Sequence, residues 1–227
     1  MANVLRECET VMNLLGSYHF YRLRVTKTLG LYKHYRTCFD RNKCVFIHIP
    51  KFGGISLVEA VYGDSRSQHS TWRDFVIEDP IKFDSYFKFA FTRDPLNRCY
   101  SAYTYLQRGG RTPVDLYWND RYIKKYSSFD DFVLRELEGA IANSAEHFIP
   151  QHKFICDDAG KVLVDFVGRV ERMQEDYQYL ADRLGITAKL ELRNATEEEF
   201  AYVASAKVRS TIRRLYHKDY EILGYAH

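Results

Sequence analysis

Three stretches of this chain share one grammar: a short apolar run, a turn, then a segment of helical periodicity. In the first, "CVFI" (residues 44–47, within a strand expected over 44–49) leads through "HIPKFGG" into "ISLVEAVYG". There Ile55, Val58 and Val61 repeat at helical spacing and Gly63 supplies the stop. In the second, "YFKFAFT" (residues 86–92) alternates around Lys88 and enters "RDPLNRCYSAYTYL". Asp94 there can cap a helix, Pro95 suits its first position, and Leu96, Tyr100, Tyr103 and Leu106 make an apolar stripe. In the third, "VLVDFVG" (residues 162–168) precedes "RVERMQEDYQYLADRLG", a helix ending at Gly185. Strands alternating with helices predict a parallel sheet, because parallel neighbours need crossover connections that lay helices on the sheet.

Between these units, Gly109 and Gly110 end the second helix, and "RTPVDLYWNDRYIKKYS" reads as an irregular polar and aromatic excursion. "SSFDDFVLRELEG" opens on a capping serine and continues as a helix. The last forty residues predict two helical pieces, 196–206 and 208–220. Residues 1–43, rich in Arg, Lys and Tyr, form a basic arm, helical or irregular, belonging to the same domain as residues 44–227.

The chain has 227 residues, 46% of them hydrophobic, enough to bury one substantial core. A net charge of +3 gives no support to a nucleic-acid partner and suits a local basic pocket better than a basic protein. The five cysteines, Cys8, Cys38, Cys44, Cys99 and Cys156, lack CxxC spacing, so a reducing compartment is expected. No run of 18 apolar residues occurs, and "MANVLRECETVMNLLG" carries charge where a secretory signal needs an apolar core. The expectation is a cytoplasmic protein with no transmembrane segment.

A loop joining a parallel strand to a helix offers backbone N–H groups and the positive end of the helix dipole to an anion. Gly53 and Gly54 permit close approach. In a nucleoside-triphosphate loop of the Walker type the lysine follows the glycines and precedes Ser or Thr. Here Lys51 comes first, which disfavours an ordinary ATP or GTP hydrolase. Taken alone, "PKFGG" is equally a plain strand-to-helix turn.

Read together, the segments resemble a known family. "HIPKFGGISL" resembles the "IPKTGGTS" 5′-phosphosulfate loop of carbohydrate-type sulfotransferases (the family 2-like group, bacterial members included), which use 3′-phosphoadenosine 5′-phosphosulfate (PAPS). "FKFAFTRDPLNRCYSAYTYL" is similar to that family's 3′-phosphate motif, and "FIPQHKFICDDAGKVLVDFVGRVERMQEDY" and "LYHKDYEILGY" look like further family segments. The resemblance implies a P-loop NTPase-like three-layer α/β fold with a central parallel sheet flanked by helices. It implies an O-sulfotransferase moving a sulfuryl group from PAPS to an alcohol, a carbohydrate hydroxyl of an oligosaccharide or polysaccharide, with adenosine 3′,5′-bisphosphate as product. Lys51 would stabilise the leaving group, Lys51, Phe52, Gly53, Gly54, Ile55 and Ser56 would form the 5′-phosphate loop, and Arg93 and Ser101 would hold the 3′-phosphate. Ser101 falls on the helix face of Arg98, off the apolar stripe.

His69, in "QHSTWRDF", resembles the family histidine that follows the loop and is the first candidate for general base. Glu59, one turn into the helix, is the second; His48 reads as a packed strand residue. His147 and His152 lack metal-ligand spacing, and no metal site is expected. Arg169 either approaches an anionic ligand or pairs with Glu171. Lys207, Arg209, Arg213 and Arg214 either close over the bisphosphate or line a solvated helix face. Trp72, Tyr103, Tyr117, Trp118, Gln151 and His152 are candidates to meet the acceptor. Two departures stand out: Phe52 and Ile55 replace the two threonines of "KTGGTS", and Ile55 cannot supply a side-chain hydrogen bond to a phosphate. A catalytically weak nucleotide-binding or regulatory protein on the same fold, and a P-loop kinase, are the alternatives.

Overall fold

The computed structural model describes residues 2–52, 55–64, 66, 68–190 and 202–226. Gly53 and Gly54 of the loop, and most of the helix expected over 196–206, lie outside the described residues. In chain order the helices and strands are α1 (Ala2–Thr28), α2 (Thr37–Asn42), β1 (Cys44–Phe46), α3 (Ile55–Tyr62), α4 (Trp72–Glu78), α5 (Pro80–Ser85) and β2 (Phe87–Thr92). They continue with α6 (Pro95–Gln107), α7 (Pro113–Trp118), α8 (Phe129–Arg135), α9 (Leu137–Ala142) and α10 (His152–Ile155). The last four are β3 (Phe166–Arg169), α11 (Met173–Leu184), α12 (Ala206–Leu215) and α13 (His217–Leu223).

The strands form a parallel sheet in the order β1-β2-β3, flanked by helices. Both crossovers run through helices, as parallel pairing requires. The central strand, β2, is the most deeply enclosed: Phe89, Ala90 and Phe91 have no exposure. Four residues beyond the paired Phe46 and Phe89, the two chains reach Pro50 and Arg93. The lysine turn and the arginine therefore leave the same edge of the sheet, the carboxyl end where ligands of such sheets gather.

The expected strands are shorter than their apolar runs. β1 pairs over only three residues, although Ile47 N–H still donates to the Phe89 carbonyl at 2.9 Å. The third strand begins at Phe166, not at residue 162: Val162 bridges Cys156 in antiparallel fashion, and Leu163 N–H donates to Ile155 O at 2.8 Å. Asp165 then turns the chain into the sheet. Its carboxylate accepts from Lys88 N–H at 2.7 Å and lies 3.0 Å from Lys88 Nζ, which keeps that buried lysine charge-paired.

The excursion after Gly110 is ordered, contrary to expectation. Thr112 caps α7, Pro113 fills its first position, and Asp115 returns the capping-box hydrogen bond; a π-helical turn, residues 119–123, continues it. The N-terminal arm docks here. A Cβ on Gly16 would stand 2.3 Å from Pro113 O, so only glycine allows this approach, and Phe20 stacks on Tyr117 at 4.9 Å between ring centres. The two final helices break at Tyr216, between Leu215 and His217.

Candidate active site

Lys51 sits in the turn after β1 with φ of 72°, a left-handed conformation that side chains other than those of Gly and Asn rarely adopt. Such strain persists only where the surroundings enforce it, and it gathers at functional sites. The next residue supplies the enforcement. Phe52 is 1% exposed, wedged against Phe46, His48 and Phe91 with ring centres 5.3, 5.0 and 5.9 Å away. The phenylalanine that stands in place of a loop threonine is thus a core anchor, and its side chain offers a phosphate nothing. Ile55 opens α3, and Ser56 follows in its first turn, 8% exposed.

The Lys51 ammonium lies over the Tyr105 ring, 3.9 Å from its centre, a cation–π contact. Tyr105, on α6, donates its hydroxyl proton to Asp115 Oδ2 at 2.8 Å. The same carboxylate accepts from Arg111 N–H, Thr112 N–H and the Thr112 hydroxyl, and its Oδ1 lies 2.8 Å from His147 Nε2. Gly110 lets the turn wrap this group: its φ is 66°, and a Cβ there would stand 2.2 Å from the Asp115 Cβ. Burial works to raise the Asp115 pKa, but the hydrogen bond and charge of His147, with the Arg111 and Tyr105 donors, outweigh it and hold the carboxyl well below its ordinary range. Burial and the Asp115 charge push the Tyr105 phenol up, so it stays protonated and donating.

His69 lies three residues before the start of α4, in a segment held by its neighbours. Ser70 is buried with its hydroxyl 2.8 Å from His34 Nδ1, and Thr71 forms a capping box with Asp74. His69 Nδ1 is 2.7 Å from Glu146 Oε1, with both side chains partly accessible. Its ring meets those of His48 and His147 edge-on, at 4.7 and 6.1 Å between centres. His48, stacked on Phe46, has its pKa pushed well below the ordinary value, first by burial and then by His69, His147 and Lys51. It is therefore neutral and packed, although it lies two residues beyond the end of β1 and not on the strand expected over 44–49. Glu59 lies on the exposed side of α3.

Arg93 leaves β2 with its backbone clamped on both sides. Its N–H donates to Gln151 Oε1 at 3.0 Å and its carbonyl accepts from Gln151 Nε2 at 2.8 Å. Asp219, with no exposure, accepts from Gln151 N–H at 2.8 Å and from His152 N–H at 2.9 Å, and its Oδ1 lies 2.6 Å from His152 Nδ1. Gln151 and His152, candidates for the acceptor in the sequence, are thus spent on holding Arg93 and the chain behind it. Tyr103 and Trp118 are core residues at 3% exposure, and Tyr117 is covered by Phe20 of α1.

Ser101 is 2% exposed and Arg98 has no exposure, so the α6 face they share, off the apolar stripe, is nevertheless enclosed. The cause is the segment after α9: Arg98 donates to His147 O at 3.1 Å and Ile149 O at 2.8 Å, tying that loop to α6. Arg169 does not pair with Glu171. It donates to Leu223 O and Gly224 O, and Glu171 accepts from Asp94 N–H at 2.7 Å. Lys207, Arg209, Arg213 and Arg214 lie on the exposed face of α12, with Arg214 paired to Glu138 at 3.0 Å. A cavity of about 510 Å³ between β3 and α13, lined by Val167, Arg169, Arg172 and Ile222 among others, includes none of Lys51, His69 or Arg93.

Sequence reasoning missed Tyr105, Asp115, Glu146 and His147. Only the "TPVD" cap signal around Asp115 was open to reading; the other three meet the site through contacts distant in sequence.

A parallel α/β domain with a lysine turn and an arginine at one sheet edge, beside histidine–carboxylate pairs, has the makings of an anion-handling transferase. The chain belongs to the sulfotransferase family, whose sequence model matches residues 33–226. It is an enzyme family of sulfuryl transfer. The chain is also similar to an uncharacterized protein of Archaeoglobus fulgidus, 26% identical over 121 residues, a stretch covering 53% of this chain and 85% of the other. Among the described residues, no helix is long and apolar enough to cross a membrane, and no three His, Cys, Asp or Glu side chains are grouped to hold a metal ion.

Proposed function

We propose that this protein transfers a sulfuryl group from PAPS to an alcohol, a carbohydrate hydroxyl, on a P-loop NTPase-like three-layer α/β fold. The observation that carries the reading is the strained Lys51 turn at the same sheet edge as the clamped Arg93, inside a chain of the sulfotransferase family. The donor set that supports a doubly phosphorylated nucleotide is two cationic side chains, Lys51 and Arg93, with Ser56 in the first turn of α3, where amides and the helix dipole favour anions, and Ser101 midway along α6.

PAPS supplies an activated sulfuryl group. His69 takes the acceptor's hydroxyl proton as the new oxygen–sulfur bond forms. Lys51 stabilises the negative charge left on the bridging oxygen as its bond to sulfur breaks, so that the electron pair leaves with adenosine 3′,5′-bisphosphate. The loop of Lys51, Phe52, Gly53, Gly54, Ile55 and Ser56 holds the 5′-phosphate through its backbone and Ser56, and Arg93 and Ser101 hold the 3′-phosphate.

Titration calorimetry with adenosine 3′,5′-bisphosphate, adenosine 5′-monophosphate and ATP–magnesium tests this, followed by transfer from labelled PAPS to a panel of oligosaccharides. A preference of at least tenfold for the bisphosphate, about 1.4 kcal/mol, with label appearing in an oligosaccharide, is expected. Preference for ATP–magnesium, or bisphosphate binding without transfer to any alcohol, would overturn it.

A further inference from the structure

We infer that Glu146 is a positioning residue for the proton-accepting step: it fixes which nitrogen of His69 carries the proton, so that Nε2 is the atom that faces the acceptor hydroxyl. The inference rests on the proposed role of His69 and extends it to a residue that no motif identifies.

The pairing itself sets the tautomer. The nitrogen 2.7 Å from Glu146 Oε1 is Nδ1, and a carboxylate there accepts a hydrogen bond from Nδ1–H, which keeps the proton on Nδ1 and leaves the lone pair on Nε2. His69 and Glu146 have side chains 21% and 28% exposed, so the pair lies within reach of a substrate. The neighbouring pair, His147 with Asp115, is 6% and 7% exposed and oriented the other way, through Nε2. Its role is to hold Glu146. His147 follows Glu146 in a single 3₁₀ turn, residues 146–148, and is fastened through its ring by Asp115 and through its carbonyl by Arg98. Glu146 is thereby set on a fixed support 77 residues along the chain from the histidine it meets, and a base oriented before substrate arrives loses less freedom in the transition state.

As the acceptor O–H proton moves to His69 Nε2, the ring becomes an imidazolium whose second N–H still points at Glu146. The carboxylate stays ionised and balances the new positive charge. Replacing such a carboxylate by its amide in a serine-protease triad leaves the geometry intact and lowers kcat by about 10⁴ through the wrong tautomer.

The test compares the parent chain with Glu146→Gln and Glu146→Ala. Nitrogen-15 NMR of the histidine rings at pH 8, without ligand, is expected to show His69 protonated at Nδ1 in the parent and a mixture of tautomers in both variants. A parent His69 protonated at Nε2, or variants with the parent's tautomer, would overturn the inference whatever the activity. In transfer assays with labelled PAPS and the best oligosaccharide of the panel, Glu146→Gln is expected to lower kcat at least tenfold with KM within about twofold. A parental kcat in Glu146→Gln beside an inactive His69→Ala would remove Glu146 and leave the base in place. A parental kcat in His69→Ala would instead sink the base assignment itself.

Discussion

Lys51 carries two unusual properties at once, a left-handed backbone and an ammonium resting on an aromatic face. Each places the charge in advance of any ligand. If Lys51 stabilises the leaving group as proposed, truncation removes a charge needed most in the transition state, and Lys51→Ala is expected to lower the rate of sulfuryl transfer by about 10²–10³. Its affinity for adenosine 3′,5′-bisphosphate is expected to change much less; single-turnover kinetics beside calorimetry would separate the two. Under the proposed function Arg93 acts differently, on binding. Loss of a charge-assisted hydrogen bond worth roughly 1.5–3 kcal/mol is expected to erase most of the preference for the 3′-phosphate in Arg93→Ala. The ratio of bisphosphate to monophosphate affinity measures it. These two residues and His69 could be singled out as candidates because each sits in a motif whose local order survives in the sequence. Glu146 and His147 were not, because what matters about them is a partner 77 or 32 residues away, and no spacing rule reaches so far.

α7 shows what one short helix can organise. Its six residues are capped by Thr112, and the Asp115 carboxylate that completes the cap also receives Tyr105 and His147. Substituting alanine leaves a buried imidazole, a phenol and two backbone N–H groups without their acceptor. At about 1–3 kcal/mol for each group left unsatisfied, with relaxation recovering part of it, Asp115→Ala is expected to cost about 3 kcal/mol or more. A urea midpoint measured against the parent, with m unchanged, reports it. The alternation of strands and helices was readable from periodicity, and with it the parallel sheet. The ends were not: the apolar run at 44–49 continues past the point where strand pairing stops, and the run at 162–168 starts before pairing begins at Phe166, because hydrophobicity reports burial and the ladder depends on which partner lies alongside. α7 was passed over because Tyr and Trp within a polar stretch suggest a loop, and the cap residues that define the helix precede it.

At the scale of the molecule, buried ionisable groups make stability depend on pH. His48 is neutral when folded because its pKa is depressed, whereas in the unfolded chain it takes up a proton near its ordinary value of 6.5. The unfolded state thus binds more protons below that value, and stability falls as the pH drops through and below it. Asp115 adds a second loss, beginning where an unfolded carboxylate starts to protonate, near 3.8, and growing toward its depressed folded value. The melting temperature is expected to decline from pH 7 to pH 5, and His48→Phe, which keeps the ring stacking, is expected to flatten that decline. An unchanged slope in the variant would assign the loss to other groups.

The hold on Arg93 has a consequence in time. Its backbone is gripped by Gln151, and Gln151 is in turn anchored by Asp219 of α13, so the three points of the clamp are spread over more than half the sequence. A ribosome adding about 5–20 residues each second makes Arg93 long before it makes Asp219, on the order of ten seconds earlier. Through that interval the growing chain can form its first two strands and the lysine turn, yet the arginine beside them has no fixed frame. The protein acquires half of its proposed anion-binding edge early in synthesis and the other half only when α13 emerges.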